Sequence, residues 1–396
     1  MYPETDQLEL KDKEAVEELQ GKLDKQDEED KLLHSVIEND SEAIEQGKII
    51  NESFNQGMSS FTPDMMYEKL VQNYAAAEQI YGEKLIRLVT GYDPGYVRKN
   101  IRIPEFQREL KAALTRKAQQ LRRSGNFSGE GTITSQGIEL ASLVLYAEEV
   151  DHLMPKGNLG SKEHKERSMY GDVVDVREFR KHDRYRDIDI KKTVKRSIRR
   201  GHTKLMPIDL TMAERKAKGN IEIMYAIDAS GSMRGKKLEM AKRAGVALAF
   251  NAIQHRDKVG IVVFGTTIKD EVQPTRDLMQ IVRRLTTVIA SQETNFASSI
   301  ERAIELFSTR TVTKHMVLLT DGVPTSGDAP DEDALRAVSH AVAQGITISV
   351  VGIGLDDSEL GKRMVEIGRG RLHIVQNLDN IDKVILEDYY ETVAEG

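Results

Sequence analysis

The sequence predicts an α/β chain: a carboxyl-terminal half built on a doubly wound, mostly parallel sheet, preceded by an all-α region. Two observations carry this. After residue 220, short apolar runs alternate with amphipathic helical stretches, the order that lays parallel strands side by side with helices on both faces. Before residue 155, apolar residues recur every three or four positions over long stretches without strand patterns, the signature of packed helices.

Residues 1–60 are dense in charge, with the cluster Asp27-Glu28-Glu29-Asp30 and thin leucine spacing at Leu8, Leu19 and Leu23. Such a segment is expected as an acidic arm, helical or disordered, and carries no recognisable chemistry. Residues 61–155 are expected as a helical bundle. A first helix is predicted over 63–89, with Thr62 as cap, Pro63 in the first turn and Gly91 as stop; Met66, Leu70, Tyr74, Ala77, Tyr81, Leu85 and Leu88 form its stripe. Further helices are predicted over 105–123 and 135–153, on either side of a Gly-rich loop. Residues 156–219 turn basic and are expected as a linker packed on the carboxyl-terminal domain, which spans 220–396.

In that domain the apolar runs 221–227, 258–264, 316–320, 346–353 and 372–375 read as buried strands. Helices are predicted over 236–255, 277–285, 296–307, 331–344, 358–367 and 381–393. The strand 221–227 runs into Asp228-Ala229-Ser230-Gly231-Ser232, which sets a carboxylate and two hydroxyls at alternate positions just beyond its carboxyl end. Asp and Ser are also ordinary helix caps. Thr294-Asn295 and Asp321-Gly322 bring two more polar turns to the same edge of a doubly wound sheet, where such folds bind ligands. Oxygen-only donors of this kind suit a hard cation such as Mg²⁺ or Mn²⁺.

Composition narrows the class. The chain has 396 residues, a net charge of -7, 39% hydrophobic, 31% charged and 5% aromatic residues, so its apolar surface must be concentrated in particular segments. It has no cysteine, which excludes disulfides, thiolate metal sites and cysteine nucleophiles. With no leader pattern and no run near the ~18 apolar residues that span a bilayer, a cytoplasmic, soluble chain is expected.

Asp-x-Ser-x-Ser, a later Thr and a later Thr-Asp-Gly resemble the metal-ion-dependent adhesion site (MIDAS) of von Willebrand factor A (vWA) domains, a Rossmann-like family, over about residues 220–391. The resemblance implies that Ser230, Ser232 and Thr294 touch Mg²⁺ (or Mn²⁺) through hydroxyls, while Asp228 and Asp321 act mainly through bound waters. It also implies that a carboxylate from a partner completes the cation's coordination, so that the metal joins two proteins, and that the run 267–272, which follows Gly265, is a short antiparallel edge strand. One departure stands out: the family usually has small glycines before the Thr, whereas this chain reads Ser291-Gln292-Glu293-Thr294.

Upstream, the run from Asp187 to Ser197, in which Asp189, Thr193, Lys195 and Ser197 keep a D-x-x-x-T-x-R/K-x-S spacing, and then Asp209-Leu210, resemble the lead-in of CoxE- and ViaA-type proteins, and more loosely that of magnesium-chelatase D subunits. Those families work with ring-forming AAA+ ATPases of the MoxR or chelatase group. The expected partners are therefore a MoxR-type AAA+ ATPase and a target protein with an exposed Asp or Glu, with no membrane and no nucleic acid. The expected role is that of a metal-dependent adaptor in protein remodelling or metalloenzyme maturation.

Two other readings compete. One makes the chain a magnesium-chelatase D-like subunit; the other has the basic stretch 191–200 bind nucleic acid. Catalysis by the chain itself is not expected. In Gly231-Ser232-Met233-Arg234-Gly235-Lys236-Lys237 the glycines are too close for a phosphate cradle and no Ser or Thr follows the Lys. His315 and His373 sit alone within strand patterns and are expected as packed histidines.

Overall fold

The computed structural model describes residues 40–153, 173–178, 190–200, 202, 206–215, 221–290, 294–308, 312–322, 324–325, 329–354 and 359–395. The acidic cluster 27–30, Asp187 and Asp189 of the lead-in, and Ser291, Gln292 and Glu293 lie outside the described residues, as does part of the loop after Asp321. The chain divides into two compact units. The first comprises Met1–Asp151, Ala229–Val246 and Met279–Gln292; the second comprises His152–Asp228, Ala247–Leu278 and Glu293–Gly396.

Helices build the first unit. Helix α1 (Ser41–Asn55) starts where Asp40 accepts a hydrogen bond from the Glu42 amide, and it buries Ile49, Ile50 and Phe54. This stretch falls within the expected acidic arm, yet its apolar residues share one helical face and join the core. The single helix predicted over 63–89 is broken, into α2 (Pro63–Gln72) and α3 (Tyr74–Thr90), and α3 is itself kinked at Gly82, whose φ of 71° and ψ of 150° are not helical. Asn73 separates α2 from α3: it is extended, and its side chain caps α3 by accepting from the Ala76 amide, a role Asn prefers to a helix interior. Thr62, expected as a cap, makes no side-chain capping bond. Helix α3 ends at Gly91, whose φ of 76° needs a residue without a Cβ.

Helices α4 (Pro94–Asn100), α5 (Pro104–Arg123) and α6 (Ser135–Leu153) complete the bundle. Met66, Leu70, Leu85, Leu110, Leu114 and Leu121 are fully buried at its centre, each worth about 1.5–3 kcal/mol of transfer free energy. Gly47 lets α1 and α6 approach closely, since a Cβ there would lie 2.6 Å from Val144 Cγ2.

The second unit contains two sheets. Strand β1 (Val173–Glu178), helix α7 (Ile190–Arg199) and strand β2 (Thr211–Arg215) come first, with β1 and β2 paired antiparallel. The larger sheet uses β3 (Ile221–Asp228), β4 (Lys258–Phe264), β5 (Ile268–Thr275), β6 (Thr313–Thr320), β7 (Ile346–Ile353) and β8 (Arg369–Val375). Its order is β5-β4-β3-β6-β7-β8, parallel except for the antiparallel edge strand β5. The intervening helices are α8 (Lys236–Gln254), α9 (Leu278–Thr287), α10 (Phe296–Leu306), α11 (Pro330–Ala343), α12 (Glu359–Gly368) and α13 (Ile381–Glu395). This is the doubly wound, mostly parallel sheet read from the alternating pattern.

All eight residues of β3 are buried, as a central strand requires. Met224, Ala226, Leu318, Ile348 and Val350 pack on one side of the sheet with Ile300, Val338 and Met364 of the helices. Glu222, at the start of β3, is held by Lys258 at 2.9 Å and by the Ser308 amide at 3.0 Å.

Two segments of the expected carboxyl-terminal domain belong to the first unit. Within that unit Arg243 of α8 reaches Glu149 at 2.8 Å, Arg283 of α9 meets Glu139 at 2.8 Å, and Lys242 donates to the Thr286 carbonyl at 3.0 Å. Ser142 also donates to the Thr286 hydroxyl at 3.1 Å. These pairs span 44 to 144 residues of chain, a separation at which the sequence carries no local signal.

Candidate metal centre

The centre begins at the carboxyl end of β3, where the strand register sets Asp228 opposite Phe264 of β4 and places Ile227 beside Leu319 of β6. Asp228 is fully buried, and Thr320 Oγ1 donates to its Oδ2 at 2.7 Å. The same Thr320 oxygen accepts from the Gly322 amide at 3.1 Å. One hydroxyl thus ties the buried carboxylate to the turn that carries Asp321, which is half-buried.

Ser230 and Ser232 follow Asp228 two and four residues along the chain. Their hydroxyl oxygens lie 3.0 Å apart; Ser230 is buried and Ser232 exposed. Thr294 is buried, and its amide donates to Thr325 Oγ1 at 3.3 Å while its carbonyl accepts from the Thr325 amide at 3.0 Å. That reciprocal pair fastens the chain after β6 to the turn before α10. The next residue, Asn295, caps α10 by accepting from the Ser298 amide at 3.0 Å, and its own amide donates to the Gly265 carbonyl just past β4.

The predicted donors therefore fall into three local clusters: Asp228 with the Asp321 turn through Thr320, Ser230 with Ser232, and Thr294 with Thr325. Thr320 entered the sequence reading only as the first residue of the Thr-Asp-Gly motif, without a partner, and two participants were absent from it: Thr325, a hydroxyl bonded to Thr294, and Lys269. Lys269 comes from edge strand β5; burial pulls its ammonium below the ordinary lysine range, and the Asp228 carboxylate opposes that pull. Only the antiparallel return of β5 along β4 brings it there.

The donor chemistry fits a hard cation. All five predicted residues offer oxygen, and Asp228 supplies a negative charge withdrawn from water. Among the described residues there is no group of three or more His, Cys, Asp or Glu that could hold a metal ion.

The two strand histidines do structural work elsewhere. His315 Nε2 lies 2.7 Å from Asp388 Oδ2, and His373 Nε2 lies 3.3 Å from Asp388 Oδ1. Ser349 donates to the same carboxylate at 2.8 Å. The cluster has the composition of a Ser/His/Asp set without its arrangement, because the hydroxyl is aimed at the acid and not at an imidazole.

Residues 222–387, which build this doubly wound sheet, match the von Willebrand factor type A (vWA) domain family. Among curated proteins, the chain is 34% identical over 118 residues to the magnesium-chelatase 60 kDa subunit of Rhodobacter capsulatus, covering 29% of this chain and 21% of that protein. It is 24% identical over 185 residues to inter-alpha-trypsin inhibitor heavy chain H4 of Homo sapiens, covering 43% of this chain and 20% of that protein. The chain thus spans about a fifth of the length of these relatives. Among solved structures, the protein BatB from Bacteroides thetaiotaomicron overlaps 45% of this chain and 100% of its own, at 23% identity and a TM-score of 0.38. Among the described residues, no helix is long and apolar enough to cross a membrane.

Proposed function

We propose that the chain is a metal-dependent protein-binding module in which Asp228, Ser230, Ser232, Thr294 and Asp321 hold Mg²⁺ or Mn²⁺ for an acidic side chain of a partner. The observation that carries this reading is the buried Asp228 carboxylate, tied by Thr320 to the Asp321 turn at the carboxyl edge of the sheet. A bound cation with few anionic ligands supplies an electrophilic position for a partner's carboxylate. The chain's own groups do the rest. Asp228 and Asp321 provide the negative charge, the three hydroxyls provide neutral oxygens, and the Thr294–Thr325 pair holds the turn before α10 in place. Lys269 adds a positive charge that favours an incoming carboxylate.

In this proposal the chain works as an adaptor or cofactor of a MoxR-type AAA+ ATPase, and ATP hydrolysis by that partner remodels the bound target. Co-purification of the tagged chain from native extract with Mg²⁺ and with EDTA tests it. An AAA+ ATPase or its target retained with Mg²⁺ and lost in EDTA or in Asp228→Ala supports the reading; retention indifferent to both defeats it. The likeness to a magnesium-chelatase subunit favours a second reading, a D-like subunit of a metal-inserting complex. Restored chelatase activity on reconstitution with the remaining subunits would select it.

A further inference from the structure

Helix α7 is built with its polarity reversed. Its hydroxyl residues face inward: Thr193 and Ser197 are buried, Thr193 Oγ1 lies 3.1 Å from Thr211 Oγ1, and it accepts from the Thr211 amide at 3.0 Å. Two of its aliphatic residues face out, with Val194 39% and Ile198 70% exposed. Beside it, the short 3-10 turn Pro207–Asp209 and the residue before it expose two more apolar side chains, Ile208 at 60% and Met206 at 51%.

This exposure is braced. Asp209 is fully buried; His202 Nδ1 lies 2.8 Å from its Oδ2, the Met206 amide donates to the same oxygen at 3.1 Å, and Arg200 donates to the Ile208 carbonyl at 2.8 Å. The Asp209 carboxyl is accordingly held below the usual carboxylate range, first by the His202 bond. Removing hydroxyls from water to present isoleucine to it is unfavourable for an isolated surface, so a ligand is the natural compensation.

We propose that the α7 face with the 206–208 turn is a docking site for an acidic amphipathic helix of a partner protein, separate from the metal centre. Charge complementarity sets the occupant's chemistry. Lys192, Lys195 and Arg199 are exposed around the aliphatic residues, and residues 190–200 contain Lys and Arg but no Asp or Glu. A helix with Glu or Asp flanking aliphatic anchors at i, i+3 and i+4 satisfies both features. A nucleic-acid backbone makes no use of exposed isoleucine and methionine. A membrane-surface helix presents Trp, Phe or Leu on its apolar face, and α7 has none of these.

The test is fluorescence anisotropy on the full chain with a labelled synthetic helix of Leu anchors and Glu flanks. A Gln-for-Glu version, phosphatidylserine-containing vesicles and a duplex oligonucleotide serve as counter-probes. The acidic peptide should bind in Mg²⁺ and in EDTA alike, weaken with salt, and lose at least about tenfold in affinity in the double variant Ile198→Glu, Ile208→Glu. The charge reversal Lys195→Glu, Arg199→Glu should do the same. Because these side chains are exposed, the variants should keep the parent's melting temperature. The proposal is overturned by failure of the acidic peptide to bind, by equal binding of the Gln version, by indifference to both variants, or by tighter binding of the vesicles or the oligonucleotide. EDTA-insensitive binding separates this site from the metal-dependent one.

Discussion

The Thr320 hydroxyl and the buried Asp228 carboxylate lie 2.7 Å apart across neighbouring strands, and this bond joins two of the three turns that carry the candidate metal ligands. Asp228 has no exposure to water, so its charge relies on partners inside the protein. Thr320→Val keeps the shape and removes the donor. It should lower stability by about 1–3 kcal/mol in chemical denaturation, the cost of an under-bonded buried acceptor. An unchanged midpoint would show that other groups hold the carboxylate.

Lys269 and a divalent cation near Asp228 compete for the same negative charge. Lys269→Ala should therefore tighten Mn²⁺ binding several-fold while weakening capture of an acidic partner. Titration of the variant by Mn²⁺ electron paramagnetic resonance reads the first effect and partner pulldown the second; looser Mn²⁺ binding would contradict the competition.

Lys242 is buried in the first unit, with Phe54 beneath its ammonium and the Thr286 carbonyl at 3.0 Å. Burial brings its pKa down to about 7, against the pull of Glu52 and Glu239. The unfolded chain, with an ordinary lysine, binds more protons between pH 7 and about 10.5, so stability should rise with pH across that window. The penalty is full below pH 7. Lys242→Met should flatten this rise and stabilise the chain most at pH 6, as read by denaturation midpoints at pH 6 and pH 9.

Asp388 anchors α13 to the sheet through His315, His373 and Ser349. Burial pushes its carboxyl up, but hydrogen bonds from His315 and His373 outweigh this and hold it below the usual carboxylate range. A carboxyl lowered in this way contributes stability above its unfolded pKa and loses it as pH falls toward the folded value. Asp388→Ala should cost about 3–5 kcal/mol near neutral pH, and the gap to the parent should close in acid below about pH 4. A gap that does not depend on pH would point to lost packing instead.

The sheet was legible because buried parallel strands read as continuous apolar runs, and the strands matching 221–227, 258–264 and 346–353 formed within a residue of the reading. The turns at Asp228, Thr294 and Asp321 were legible because their residue types are ligand types. Other features were hidden for physical reasons. Asn73 breaks a stripe that periodicity alone runs straight through. The α1 core contribution of Ile49, Ile50 and Phe54 is masked by the charge around it. Lys269 reaches Asp228 by strand pairing, and Arg243 reaches Glu149 across 94 residues, neither of which leaves a local trace. The outward aliphatics of α7 run against the rule by which helices are read.

The central claim is that Asp228 holds a cation, and titration of the full chain with Mn²⁺ by electron paramagnetic resonance tests it without any partner. The parent should bind one ion per vWA domain, displaced by excess Mg²⁺. Asp228→Ala should abolish that binding, and the Ser230→Ala, Ser232→Ala pair should weaken it, with circular dichroism showing the fold retained. Parent-like Mn²⁺ binding by a folded Asp228→Ala chain would contradict the claim.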